Sequence, residues 1–199
     1  MQKRFFLLSA ALLVLALSTR TWAAVWKIDS AHSSAQFQVT HMMISKVSGS
    51  FSEVTGQVVL EGDDLSTAAV EATIPASTIY TGAARRDTHL KSPDFFDAEK
   101  FPTLTFKSTR VTKAADGSLK VDGQLTMHGV TKDVVLDVQP PSPAIKGSKG
   151  ESHIGLAGTT TLQRKDFGIS WNKTLDSGGV MVSDEVKVTL NIELVEQIQ

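Results

Sequence analysis

The chain has 199 residues, with 20 Lys and Arg against 21 Asp and Glu, a formal net charge of −1, and no cysteine. That length suits one ordinary domain with a single core. The balanced charge argues against nucleic acid as a partner, and the missing cysteines exclude disulfides, thiolate nucleophiles, iron–sulfur clusters and Cys-ligated zinc.

In chain order, residues 1–23 stand apart. A basic start (MQKR), an apolar run from Phe5 to Leu17 and the small-residue close TRTWA follow the layout of a cleavable signal peptide. The apolar run is too short to span ~30 Å of hydrocarbon as a permanent anchor, so none is expected after processing. Cleavage after Ala23 puts Thr21 and Ala23 at the two positions that need small side chains. It removes Lys3, Arg4 and Arg20 and no acid, leaving 17 bases against 21 acids, a formal charge of −4. The chain is therefore expected to be exported, with the mature domain spanning 24–199.

Past the leader, apolar residues recur with period two. Ala35, Phe37, Val39 and His41 alternate with Gln36, Gln38 and Thr40, and Val70, Ala72 and Ile74 with Glu71 and Thr73. Leu104 and Phe106, then Leu119, Val121, Leu125 and Met127, continue the pattern. Val134, Leu136 and Val138 follow, and the row from Val186 to Leu194 ends it. One face packs inward and the other meets water, as in antiparallel strands. Turn residues fall between them at 61–64, 115–118 and 177–179, with a reversal at Gly129, and the Pro-rich stretch 140–152 predicts the longest loop. Seven to nine such strands close most simply into a barrel, which leaves no edge exposed.

One stretch departs from this pattern. Ser92 before Pro93 and Asp94 spells a helix start, and Pro102 a stop. Two short helices are expected, near 83–91 and 93–98.

No catalytic motif emerges. The five histidines are scattered with no HExxH or paired spacing, there is no GxSxG, and Asp166-Phe167-Gly168 lacks every other kinase element. No metal, cofactor or catalytic residue is assigned. The expected barrel interior carries Phe37, Val39, Phe51, Leu104, Phe106, Leu125 and Met127, and pattern alone leaves open whether it is filled or holds one slender ligand.

Four blocks in order, SAHSSAQFQVTHMMISKVSGSF, RRDTHLKSPDFFDAEKFPTLTF, GQLTMHGVTKDVVLDV and LQRKDFGIS…SDEVKVTLNIEL, resemble the YceI-like family of bacterial periplasmic lipid-binding proteins, over about 25–196. The resemblance implies an all-β fold, an extended eight-stranded antiparallel up-and-down barrel, lipocalin-like, with a short helical insertion and a long apolar pocket. It implies non-catalytic binding of a long-chain isoprenoid or fatty lipid, such as a quinone tail or fatty amide, with a homodimer as a further option. It adds His41, Leu90 and Phe95 to the ligand-facing set. Arg86, Asp87 and His89 would hold the insertion or meet a head group. Two alternatives stay open: a filled structural or stress-response barrel, and a periplasmic enzyme with a composite site.

Overall fold

The computed structural model describes residues 23–62, 64–176 and 178–197. The expected signal peptide therefore lies outside the described residues except for Ala23, which begins the first strand.

The strands are β1 (Ala23–Ile28), β2 (Ser34–His41), β3 (Ser45–Phe51), β4 (Thr55–Glu61), β5 (Ala69–Pro75), β6 (Thr103–Lys113), β7 (Leu119–Met127), β8 (Val130–Val138), a two-residue β9 (Ile145–Lys146), β10 (Ser152–Gln163) and β11 (Glu185–Glu196). All pairings between them are antiparallel. One edge of β11 pairs with β10 along its whole length; the other pairs with β2 at Lys187–Asn191 and then with β1 at Leu194–Glu196. β1 and β2 are thus two halves of one interrupted strand. β3 and β4, which pair with β2 and β1 in turn, are two halves of the next. Counted this way the sheet is an eight-stranded up-and-down barrel in chain order, closed where β11 meets the first strand.

The first interruption is stitched in place. Asp29 N–H donates to Glu193 O (2.9 Å), Glu193 N–H donates to Ser33 Oγ (3.0 Å), and Asp29 Oδ1 accepts from Ala31 N (2.9 Å). Such irregularities bend a strand sharply, which a small barrel needs. The reversal at Gly129 is as the sequence predicts: His128 and Gly129 join β7 to β8 with φ of 53° and 75°, the signs of a type I′ turn.

The insertion between β5 and β6 contains a 3-10 turn at Ala76–Thr78 and one α-helix, α1 (Ala84–Lys91). The expected second helix at 93–98 does not form. Ser92 precedes a proline and is pushed to an extended conformation (φ −74°, ψ 170°), its hydroxyl donating to His89 O (2.8 Å). The chain then makes a single turn in which Asp97 N–H donates to Ser92 O (2.9 Å), and Asp97 itself takes a left-handed φ of 45°. One isolated turn has nothing to propagate from. The loop expected at 140–152 is irregular up to Glu151 apart from β9, and Ser152 already belongs to β10. No helix among the described residues is long and apolar enough to cross a membrane.

Candidate binding cavity

The barrel is hollow. Its interior encloses about 500 Å³, lined along its length by the inward rows of the strands. Every apolar residue that alternates in the sequence faces this space, from Ala35, Phe37 and Val39 on β2 to Leu190, Ile192 and Leu194 on β11. Phe37, Val39, His41, Phe51, Leu90, Phe95, Leu104, Phe106, Leu125 and Met127 all line it. Period two fixes the face, so the side chains converge as soon as the sheet closes.

Two glycines keep the tube open. A Cβ on Gly49 would lie 2.4 Å from Phe37 Cζ, and one on Gly123 2.4 Å from Phe106 Cζ. Each ring lies over the glycine of a neighbouring strand, along the wall rather than across the lumen.

Several lining residues carried no sequence signal of period two. Ile154, Leu156, Gly158, Thr160 and Leu162 form the inward row of β10, where Gly and Thr dilute the alternation. Trp171, Met181 and Val182 come from the irregular segment 168–184.

Polarity gathers at the end where α1 lies. His41, Thr81, Arg86, His89 and Arg164 all line the cavity there. Asp87 is buried and accepts from Thr81 N (2.9 Å) and Thr81 Oγ1 (2.5 Å), while Arg86 Nε donates to Thr81 Oγ1 (2.7 Å) and Arg86 Nη2 to Thr81 O (2.9 Å). These bonds fix the approach to the helix. Of the three residues the sequence singled out, Asp87 thus holds the insertion, while Arg86 and His89 also reach the cavity. The His89 ring pairs with Asp94 Oδ2 (2.7 Å) and stacks edge-on against Phe95 and Trp171, each 5.0 Å away. Phe96 packs edge-on against Phe51 at 5.4 Å. Aromatic rings therefore tie the insertion to the barrel wall.

Arg164 organises the facing segment. Its side chain, 5% exposed, donates to the carbonyls of Ser183 (3.0 Å), Ile169 (2.8 Å) and Trp171 (2.8 Å) and pairs with Asp184 (3.1 Å). Burial lowers its pKa, and Asp184 works against that shift.

The histidines that look scattered in sequence meet partly on the outside. Asp29, His32 and Glu193 bring one ligand atom each within 4.8 Å of one another. Asp29 is already bound to His32 (2.9 Å), and Glu193 to His153 (2.7 Å). Ion pairing accounts for that cluster, and it lies on the outer face, apart from the cavity.

Comparison with known proteins agrees with this geometry. UPF0312 protein SA2479 of Staphylococcus aureus (strain N315) is 40% identical over 167 residues, 83% of this chain and 94% of the relative. BcnA of Burkholderia cenocepacia superposes with a TM-score of 0.72 at 21% identity, covering 83% of this chain and 98% of that one. The Campylobacter jejuni YCEI protein gives 0.65 at 29% identity, covering 80% and 90%. A polyisoprenoid binding domain from Saccharophagus degradans gives 0.62 at 16%, covering 85% and 97%, a likeness of fold. The sequence profile of the YceI-like domain matches residues 26–194, and with it this hollow barrel belongs to the YceI-like family.

Proposed function

We propose that this protein binds a long-chain apolar lipid (a polyisoprenoid, a quinone tail or a fatty amide) inside its barrel and carries or sequesters it in the bacterial periplasm, without reacting on it. One observation carries the reading: a closed barrel that is hollow, apolar along its length and polar at one end. Each CH2-sized group moved from water to such an interior gains ~0.8 kcal/mol, offset in part by ordering the tail. The polar groups at the α1 end suit a head group, and the engagement of Arg86, His89 and Arg164 with partners inside the fold favours binding over chemistry. The fold shared with a domain named for polyisoprenoid binding supports the same ligand class. Export rests on the basic, apolar and small-residue order of residues 1–23, and cleavage after Ala23 would start the mature chain one residue into β1.

Organic extraction of protein purified from a periplasmic fraction, followed by mass spectrometry, tests the proposal. A stoichiometric long-chain lipid is expected, with an intact protein mass beginning at Ala24. An extract with no lipid, together with no uptake of a fluorescent long-chain isoprenol by the emptied protein, would overturn it.

A further inference from the structure

The turn between β2 and β3 violates two rules at once. Met42 and Met43 are exposed and Ile44 is 83% exposed, forming one consecutive apolar tip. The other exposed large apolar residues among the described ones, Tyr80, Val135 and Ile145, are far apart in sequence. The tip is also strained: Met42 and Met43 adopt φ of 49° and 65°, with Ile44 N–H donating to His41 O (3.1 Å). Those are the φ signs of a type I′ turn, which Asn-Gly makes without cost and side chains like methionine do not. Strain of this kind clusters at functional sites.

The tip stands at the polar end of the cavity. Met42 N–H donates to Met181 O (2.7 Å), and Val39, His41, Val47, Met181 and Val182 at its base line the interior. Lys46 on β3, which donates to Thr40 Oγ1 (2.5 Å), and Lys173, whose carbonyl accepts from Met181 N (2.9 Å), are exposed beside it and pair with no acid among the described residues, although Asp176 and Glu185 are exposed acids at the same end. Three uncharged apolar residues flanked by lysines match the chemistry of an anionic bilayer surface: hydrocarbon for the tip, phosphate for the bases.

We infer that Met42-Met43-Ile44 is a membrane-insertion tip that seats this end of the barrel on an anionic lipid surface, so that cargo passes between bilayer and cavity at the contact. This rests on the lipid-carrier reading above.

The test uses the mature protein and vesicles of phosphatidylethanolamine and phosphatidylglycerol carrying a fluorescent long-chain isoprenol. Two variants are compared with the parent: Met42→Ser/Met43→Ser/Ile44→Ser, and Met42→Asn/Met43→Gly. Both should take up the probe from solution as the parent does, yet lose flotation with vesicles and transfer the probe about tenfold more slowly. The Asn-Gly variant should also melt higher than the parent, because its turn is relaxed. A purely structural turn would not move stability up and transfer down together, and this variant covers failure of the serine variant to fold. Transfer at the parental rate by the folded variants, or a parent that never floats, would overturn the tip. So would a parent that dimerises without vesicles and loses the dimer with the tip, which would assign the patch to a second copy. A parent that floats but takes up no probe would sink the carrier reading instead.

Discussion

At the scale of single residues, the lumen depends on where two phenylalanine rings lie. Phe37 pairs across the sheet with Gly49, and both face inward. The atoms a Gly49 Cβ would meet are Phe37 Cζ (2.4 Å), Phe37 Cε1 (2.8 Å) and Thr81 Cγ2 (2.8 Å), all at side chains. Gly49→Ala therefore drives the ring into the cavity while the backbone stays. We expect the variant to fold, to lose about 1–3 kcal/mol of stability from overpacking, and to bind a fluorescent long-chain lipid more weakly. Adding Phe37→Leu should restore binding, because it removes the displaced ring. Unchanged binding by Gly49→Ala would show that this stretch of wall does not bound the ligand space. A second probe is Leu125, which lines the cavity beside the exposed, outward Gln124. Leu125→Trp should block lipid uptake without burying charge, and Gln124→Trp should leave it nearly intact, with melting curves as the check on folding. Equal binding by both would refute an occupied tube at that level.

At the scale of elements, the molecule is strands that alternate cleanly joined to segments that do not. β2, β5, β6, β7, β8 and β11 were legible because inward apolar residues alternate with outward polar ones over most of each strand. β10 was not, since Gly158 and Thr160 occupy inward positions that the alternation leaves to apolar side chains. The halves β1 with β2 and β3 with β4 were hidden by their interruptions, which shift the period midway. The helix start at Ser92 carried the right residue types, but the proline that favours a first turn also forces Ser92 out of the helix before it, and Asp97 ends the turn at once. The site divided the same way. Its apolar wall followed from parity, whereas Arg164 reaches it from the turn directly after β10, and Trp171 from the irregular segment that follows, whose path is set by tertiary hydrogen bonds. Arg164 shows how much one residue can hold there. Arg164→Ala leaves the carbonyls of Ile169 and Trp171 without their donor inside the fold, and Asp184 keeps only Lys165 as an ion partner at 2.7 Å. Each unsatisfied buried group costs ~1–3 kcal/mol, so a loss of several kcal/mol is expected in urea unfolding. Arg164→Lys should recover little of it, because an ammonium cannot span carbonyls on both sides of the segment. A variant within about 0.5 kcal/mol of the parent would mean that the segment is held by its backbone bonds instead.

For the whole molecule, the decisive event is closure, where the last strand meets the first. A charged network straddles that seam: His153 on β10 pairs with Glu193 on β11 (2.7 Å) and faces Glu151 (3.4 Å), while Asp29 and His32 sit in the interruption of the first strand. Hydrogen bonding to Glu193, then to Glu151, raises the pKa of His153 above its ordinary 6.5, and Asp29 raises that of His32. The carboxyls of Asp29 and Glu151 are lowered, the first chiefly by the bond from His32 and the second chiefly by a backbone N–H, so both stay ionised above about pH 5. Raised histidine values mean that the folded state binds these protons more tightly than the unfolded chain. Their stabilisation is therefore complete below pH 6.5 and is lost as the pH climbs through the folded values. The groups are solvated, so the effect is modest and screened by salt. The urea midpoint at low ionic strength should fall between about pH 5.5 and pH 8.5. His153→Gln and His32→Gln should each flatten part of that slope, and together most of it, with midpoints converging on the parent's at the alkaline end. If the double variant kept the parental slope, the pH dependence would arise elsewhere and the seam would owe its closure to the β10–β11–β1 backbone ladder alone.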